Sequence, residues 1–212
     1  MDKFLSFELP HLVEGAQTTL LMGLACIALA TVLGALLGVL GTIAPVVIRI
    51  LVRVYVNVLR GTPLLVVIFL FFFGLPFIGL NMNPYVVSIL AISAYMGALI
   101  SEIVRGAINS VPRGQVEAGR ALGFEDFDVT SKIVLPQAFR YALPPYISLL
   151  PVTIKGTALA SVVSVWELTK ASQEVVSRTL DAFPVFGTSM LIYFILAFPL
   201  TRLGSYMEKR VA

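Results

Sequence analysis

Lys155 is the most isolated charge in this chain: it stands 15 residues beyond Arg140, about 22 Å along a helix at roughly 1.5 Å per residue. The residues between them are largely apolar, so an ammonium there is costly unless it is paired or faces a wet cavity. Two readings fit it, a functional cation within a membrane and a side chain that snorkels to the outer interface. Glu102 and Arg105 stand three apart, the spacing of a helical ion pair; mutual pairing at the inner end of a helix and direct contact with a solute both suit them. Arg60 precedes Gly61 and lies close to Pro63, where a helix can bend and release backbone groups. It either lines a pathway or anchors the inner interface. His11 has no clustered acid, cysteine or second histidine and reads as a surface residue.

The stretch from Glu117 to Pro136 carries the chemistry of docking rather than catalysis. Small Ala118 and Ala121 leave room for close packing, Gly123 breaks two short helices apart, and Glu117, Arg120 and Asp128 supply a polar rim. Pro112 suits the first turn of one short helix with Ser110 as a nearby cap, and Asp126 or Asp128 suits the cap of the next. An ordinary helix-turn-helix in a loop is the alternative. There is no Gly-rich Lys-Ser/Thr phosphate loop, no Ser/His/Asp set and no metal-ligand cluster. The lone Cys26 excludes a disulfide or zinc framework within one chain. The chain is therefore expected to be no enzyme and to hold no cofactor of its own.

The elements that must position these residues are membrane helices. Apolar residues fill 58% of the 212 positions and Asp, Glu, Lys and Arg only 13%, about half the charged share of a soluble domain. No charge falls between Glu14 and Arg49, between Arg60 and Glu102, or between Asp181 and Arg202. A hydrocarbon core needs roughly 20 apolar residues per helix, which predicts spans over 18–43, 52–74, 84–106, 138–159 and 183–207. An inner loop over 107–137 connects the third and fourth, and residues 1–212 form one transmembrane domain. The first apolar run is too long for a signal-peptide core and is expected to be a retained helix. Gly34, Gly38 and Gly41 give it a ridge suited to close helix packing.

The net charge of +3 reports topology, not a nucleic-acid partner. Arg49 and Arg53 follow the first span, Arg105, Arg113, Arg120, Lys132 and Arg140 crowd the 107–137 region, and Arg202 and Lys209 end the chain. By the positive-inside rule these regions are cytoplasmic, which leaves the N-terminus outside and the C-terminus inside. The residues from Ser161 to Ser177, with Trp166 among alternating charges and aliphatics, are expected to form short amphipathic helices along the outer surface.

Glu117-Ala118-Gly119, Gly123, Ile133, Leu135 and Pro136 keep the spacing of the EAA loop of ATP-binding-cassette importer permeases, with Gly119 in place of the second alanine. Arg60-Gly61-Thr62-Pro63-Leu64-Leu65-Val66 resembles the RGTPLLVQ segment of the polar amino-acid permeases, with Val67 where Gln is usual. So do Gly74-Leu75-Pro76, the Tyr95, Glu102, Ile103, Arg105 and Gly106 set, and Pro136-Gln137-Ala138-Phe139-Arg140. Lys155-Gly156-Thr157-Ala158-Leu159 is similar to the family's Lys-Asp/Asn-Thr/Ser-Ser/Ala-Leu motif, with Gly156 where a polar residue is usual. The resemblance covers nearly the whole chain.

It implies an all-α integral membrane protein of five spans, the permease fold of a type I ABC importer in the bacterial inner membrane. It implies two cytoplasmic ATPase subunits that carry ATP and Mg, and a second permease, identical or homologous. A periplasmic or lipid-anchored solute-binding protein would deliver a polar amino acid. In the family the EAA loop is the coupling helix that seats in the ATPase, so Glu117, Ala118, Gly119, Gly123, Ile133, Leu135 and Pro136 are the expected coupling residues. Lys155 and Thr157 are the expected ligands of the substrate carboxylate, with Arg60 and Glu102 as pathway candidates. The rival readings are an ion-coupled secondary transporter or channel, which would show buried acids or broken helices in repeated halves, and a non-transporting membrane scaffold. A scaffold would account for neither the loop spacing nor Lys155.

Overall fold

The computed structural model describes residues 8–211, and among them there are helices and connections but no strand. Helix α1, Leu9–Ile43, begins earlier than hydropathy predicts because Pro10 occupies its first turn, a position where the missing N–H costs nothing. Its 35 residues extend about 52 Å at 1.5 Å per residue, well beyond a hydrocarbon core of about 30 Å. The extra turns are not left bare: Leu12 and Ala16 bury against Leu168, Ala171 and Val175 of a later helix.

The predicted second span is two helices. α2 (Val46–Gly61) and α3 (Leu64–Gly74) bend by 110° at Gly61–Pro63, α3 continuing as a 3-10 turn through Ile78. Proline is the cause: Pro63 has no N–H for the ladder and forces Thr62 out of the helical region, to φ −109° and ψ 138°. α2 buries Val52, Val56 and Leu59, one face at three- and four-residue spacing. Four helical runs are long and apolar enough to cross a bilayer, and the bent pair taken as one span makes five.

α4 (Pro84–Asn109) is the centre of the bundle and lies along α1. The predicted glycine ridge is what brings them together. A Cβ on Gly34 would stand 2.5 Å from Ile100 Cβ, and one on Gly38 2.6 Å from Val104 Cβ. The connection after α4 forms α5 (Arg113–Ala121) and the single turn α6 (Asp126–Asp128). From there the backbone widens into a π-type stretch, Val129–Val134, and runs into α7 (Leu135–Gly156), which carries Pro144, Pro145 and Pro151 without ending. A 3-10 segment, Thr157–Val163, leads to α8 (Leu168–Thr179) and then α9 (Ala182–Val211), which returns along α7. α8 is amphipathic as expected, but it is no loose surface helix: Leu168, Ala171, Ser172 and Val175 are buried.

Candidate functional site: an elbow and a cavity

The EAA-like residues gather at the elbow between α5 and α6. Gly123 turns the chain in a left-handed conformation, φ +82°, a geometry that favours glycine. Gly119 is buried where α5 meets the π-type stretch, and a Cβ there would lie 2.6 Å from Ile133 Cδ1. The departure from alanine thus lets two motif positions, 119 and 133, touch. Leu135 is half-buried, while Glu117, Ala118 and Pro136 face outward.

The rim holds itself in shape. Arg120 Nε donates to Asp126 Oδ1 at 2.9 Å, and Lys132 pairs with Asp128 at 2.7 Å. The expected side-chain caps do not form: Ser110 donates to the Gly106 carbonyl, and Pro112 and Glu125 take the N-cap positions without a side-chain bond. Asp126 stands one position inside the helix, after the Glu125 N-cap, and its carboxylate goes to Arg120 instead. Leu122 and Phe127, which sequence reading did not single out, are each 78% exposed at the tip. Their signal was two large apolar residues flanking the break.

At the bend of α2 and α3, Arg60 Nη1 donates to Glu102 Oε2 at 2.8 Å, while Arg105 Nε and Nη2 donate to the two oxygens of Glu102 at 2.7 and 2.9 Å. The expected Glu102–Arg105 pair is present, and Arg60 joins it from 42 residues away. Glu102 therefore fastens the bend to α4 and has its oxygens occupied by two guanidinium groups.

Lys155 lies in the last turn of α7, where the helix dipole favours a cation. It has no carboxylate partner among the described residues. It lines a cavity of about 370 Å³ between α7, α8 and α9, together with Thr169, Ser172, Ser189 and Tyr193. Thr157 is not among the lining residues: it is fully buried, and its hydroxyl donates to the Ile154 carbonyl at 2.8 Å.

Behind this cavity is a group that sequence reading passed over. Glu167, at the N-cap of α8, has no exposed surface. Its Oε2 accepts from Tyr193 at 2.7 Å and Thr19 at 3.2 Å, and its Oε1 accepts from the Lys170 N–H at 3.0 Å. Burial pushes its pKa up, against the opposing pull of backbone N–H and hydroxyl bonds. One carboxyl thus ties α1, α8 and α9 together. Nearby, the His11 Nε2–H donates to Glu174 Oε2, 3.2 Å away, and the Trp166 indole N–H donates to the same oxygen at 3.1 Å. His11 is thus more than a lone surface residue; the fold supplies the acid its sequence neighbourhood lacks.

A bundle of apolar spans with a self-braced elbow at one end and a cavity at the other is built as a membrane-embedded transport subunit. The profile of the family described as "Binding-protein-dependent transport system inner membrane component" matches residues 30–212, and the chain belongs to that family. It is a multi-pass inner-membrane permease component of an ABC importer, whose ATPase resides in a separate subunit. The chain is 33% identical over 205 residues to the glutamine transport system permease protein GlnP of Escherichia coli K12, covering 96% of this chain and 94% of that one. It is 38% identical over 165 residues to the L-cystine transport system permease protein TcyB of Bacillus subtilis 168, covering 77% and 70%. Among solved structures, an amino acid ABC transporter with histidines superimposes with a TM-score of 0.88 at 28% identity over 95% of this chain and 94% of that one. The MetNI methionine ABC transporter, at 20% identity and a TM-score of 0.77 over 96% and 97%, shares the fold.

Proposed function

We propose that this chain, paired two-fold with a second copy or a homologous permease, forms the pathway by which a polar amino acid crosses the inner membrane. Each elbow seats in one of two cytoplasmic ATPase subunits, which bind ATP and Mg; this chain hydrolyses nothing and holds no cofactor. A solute-binding protein delivers the amino acid from outside, where the N-terminus and α8 lie, while the elbow and the C-terminus are cytoplasmic. The relatives named above, which carry glutamine and cystine, support an amino-acid cargo. ATP binding draws the two elbows together and tips the helices outward-open, and hydrolysis resets them.

The observation that carries this reading is the elbow. Glu117, Ala118 and Gly123 are presented outward beside Leu122 and Phe127, and Gly119, Val129 and Ile133 lock the shape behind them. Two large apolar side chains held in water on a braced turn suit insertion into a partner's groove. Within the cavity, Lys155 supplies the cation for the substrate carboxylate, and Thr157 shapes the end of α7 through its backbone bond. Phe127→Asp should leave membrane insertion intact, abolish co-purification with the ATPase, and lower transport at least tenfold. Normal co-purification and transport in that variant would remove the elbow from the coupling path.

A further inference from the structure

The lining of the Lys155 cavity constrains the charge of what it holds. Its one ionic group is Lys155, whose side chain is exposed to the cavity. The hydroxyls around it already have acceptors for their protons within the protein. Ser172 and Ser189 are buried and bonded to each other at 2.6 Å, so one donates to the other and the other's proton is left for its own helix's carbonyl, Leu168 for Ser172 at 2.6 Å or Val185 for Ser189 at 2.9 Å. Tyr193 donates to Glu167 at 2.7 Å, which leaves Thr169 to donate to Tyr193 at 2.8 Å. With their protons so directed, the two partly exposed oxygens, those of Thr169 and Tyr193, keep lone pairs for a ligand.

The nearest acid cannot serve as a counter-ion. Glu167 has no exposed surface and both its oxygens already accept bonds. The remaining wall at the mouth, Phe186 and Met190, is apolar. The cavity thus offers one positive charge and two neutral hydroxyl acceptors, but no open negative group.

Resting on the reading of this cavity as the substrate site, we propose that it selects amino acids with uncharged side chains. The single carboxylate pairs with Lys155, and the α-ammonium and a side-chain N–H group donate to the hydroxyl oxygens. A second cation would face Lys155 repulsion without a compensating carboxylate, and like charges a few ångströms apart in a partly desolvated site are strongly unfavourable. A second carboxylate would meet the lone pairs of those hydroxyls.

The test is equilibrium dialysis of radiolabelled glutamine, methionine, arginine and glutamate against the purified permease–ATPase complex without the solute-binding protein, whose own selectivity then plays no part. Glutamine or methionine should bind at least tenfold more tightly than arginine and more tightly than glutamate. Lys155→Met should weaken the neutral ligand at least tenfold, and Lys155→Glu should raise the arginine-to-glutamine affinity ratio at least tenfold. Arginine or glutamate binding as tightly as the better neutral ligand overturns the charge inference alone, provided Lys155→Met still weakens binding. If Lys155→Met leaves every affinity unchanged, or if none of the four binds the wild-type complex, the cavity is not the substrate site and both readings fall together.

Discussion

Glu167 combines full burial with three hydrogen bonds from three helices, which makes it the side chain whose chemistry is most tightly specified. An amide in its place would turn an N–H₂ toward hydroxyl or amide donors, and an unsatisfied buried donor costs about 1–3 kcal/mol. Glu167→Gln should therefore lower the thermal stability of the solubilised protein by that order. The pH dependence is also determined. Burial raises the folded pKa above the ordinary 4.5, so the proton is held more tightly in the folded than in the unfolded state. Stability from this group is fully present below about 4.5 and is lost as pH rises through the raised folded value. The stability gap between wild type and Glu167→Gln should narrow as pH climbs from about 4 through that window; a gap independent of pH would contradict the buried-acid account. Lys155 illustrates the reverse case, an exposed cation without an acid. Its isolation was legible from the 14 uncharged residues before it, whereas its neighbours Thr169, Ser189 and Tyr193 were not, because they come from two other helices.

At the level of elements, the tightest joint is α1 on α4. Gly34 and Gly38 admit the side chains of Ile100 and Val104, and the Gly97 carbonyl lies 2.7 Å from where a Gly34 Cβ would be. That backbone atom cannot rotate aside. Gly34→Leu should separate the helices and cost about 1–3 kcal/mol by overpacking, seen as a lower melting temperature or loss of folded protein in detergent. Leu36→Ala, on the exposed side of the same helix, is the control. Equal stability of the two variants would mean that α1 can roll away from α4 freely. The joint between α2 and α3 is of another kind, a proline-imposed bend braced by Arg60 on Glu102. Hydropathy marks apolar length but not direction, which is why the 52–74 window reads as one straight span although the chain turns within it.

For the whole molecule, the proposed orientation places α5 and α8 on opposite sides of the membrane. Single cysteines at Gln115 and Gln173 suit a labelling test, since both positions are exposed and the native Cys26 is buried. Ser172, next to one of them, is fully buried and would label poorly wherever it lay. An impermeant thiol reagent added from outside should modify Gln173→Cys and spare Gln115→Cys in intact cells. Equal modification of both would refute an odd number of crossings between them. Most of the rest of the surface is apolar along α2 and α9, with Leu51, Val54, Phe194 and Ile195 exposed, as expected where lipid or another membrane helix replaces water.

The sequence by itself determined the number of apolar runs and the position of the elbow. These follow from local rules: a hydrocarbon core demands a certain apolar length, glycine is favoured in a left-handed turn, and Gly119 and Ile133 keep a set spacing. Tertiary structure alone decided which groups far apart in the chain meet. Thr19 reaches Glu167 across 148 residues, His11 reaches Glu174 across 163, and Arg60 reaches Glu102 across 42. No periodicity encodes those pairings, because they depend on how far each helix is rotated, tilted and extended against its neighbours. The same packing turned Thr157 inward onto a carbonyl and left Lys155 facing the cavity, two residues apart in one motif yet separated by the helical step of about 100° per residue.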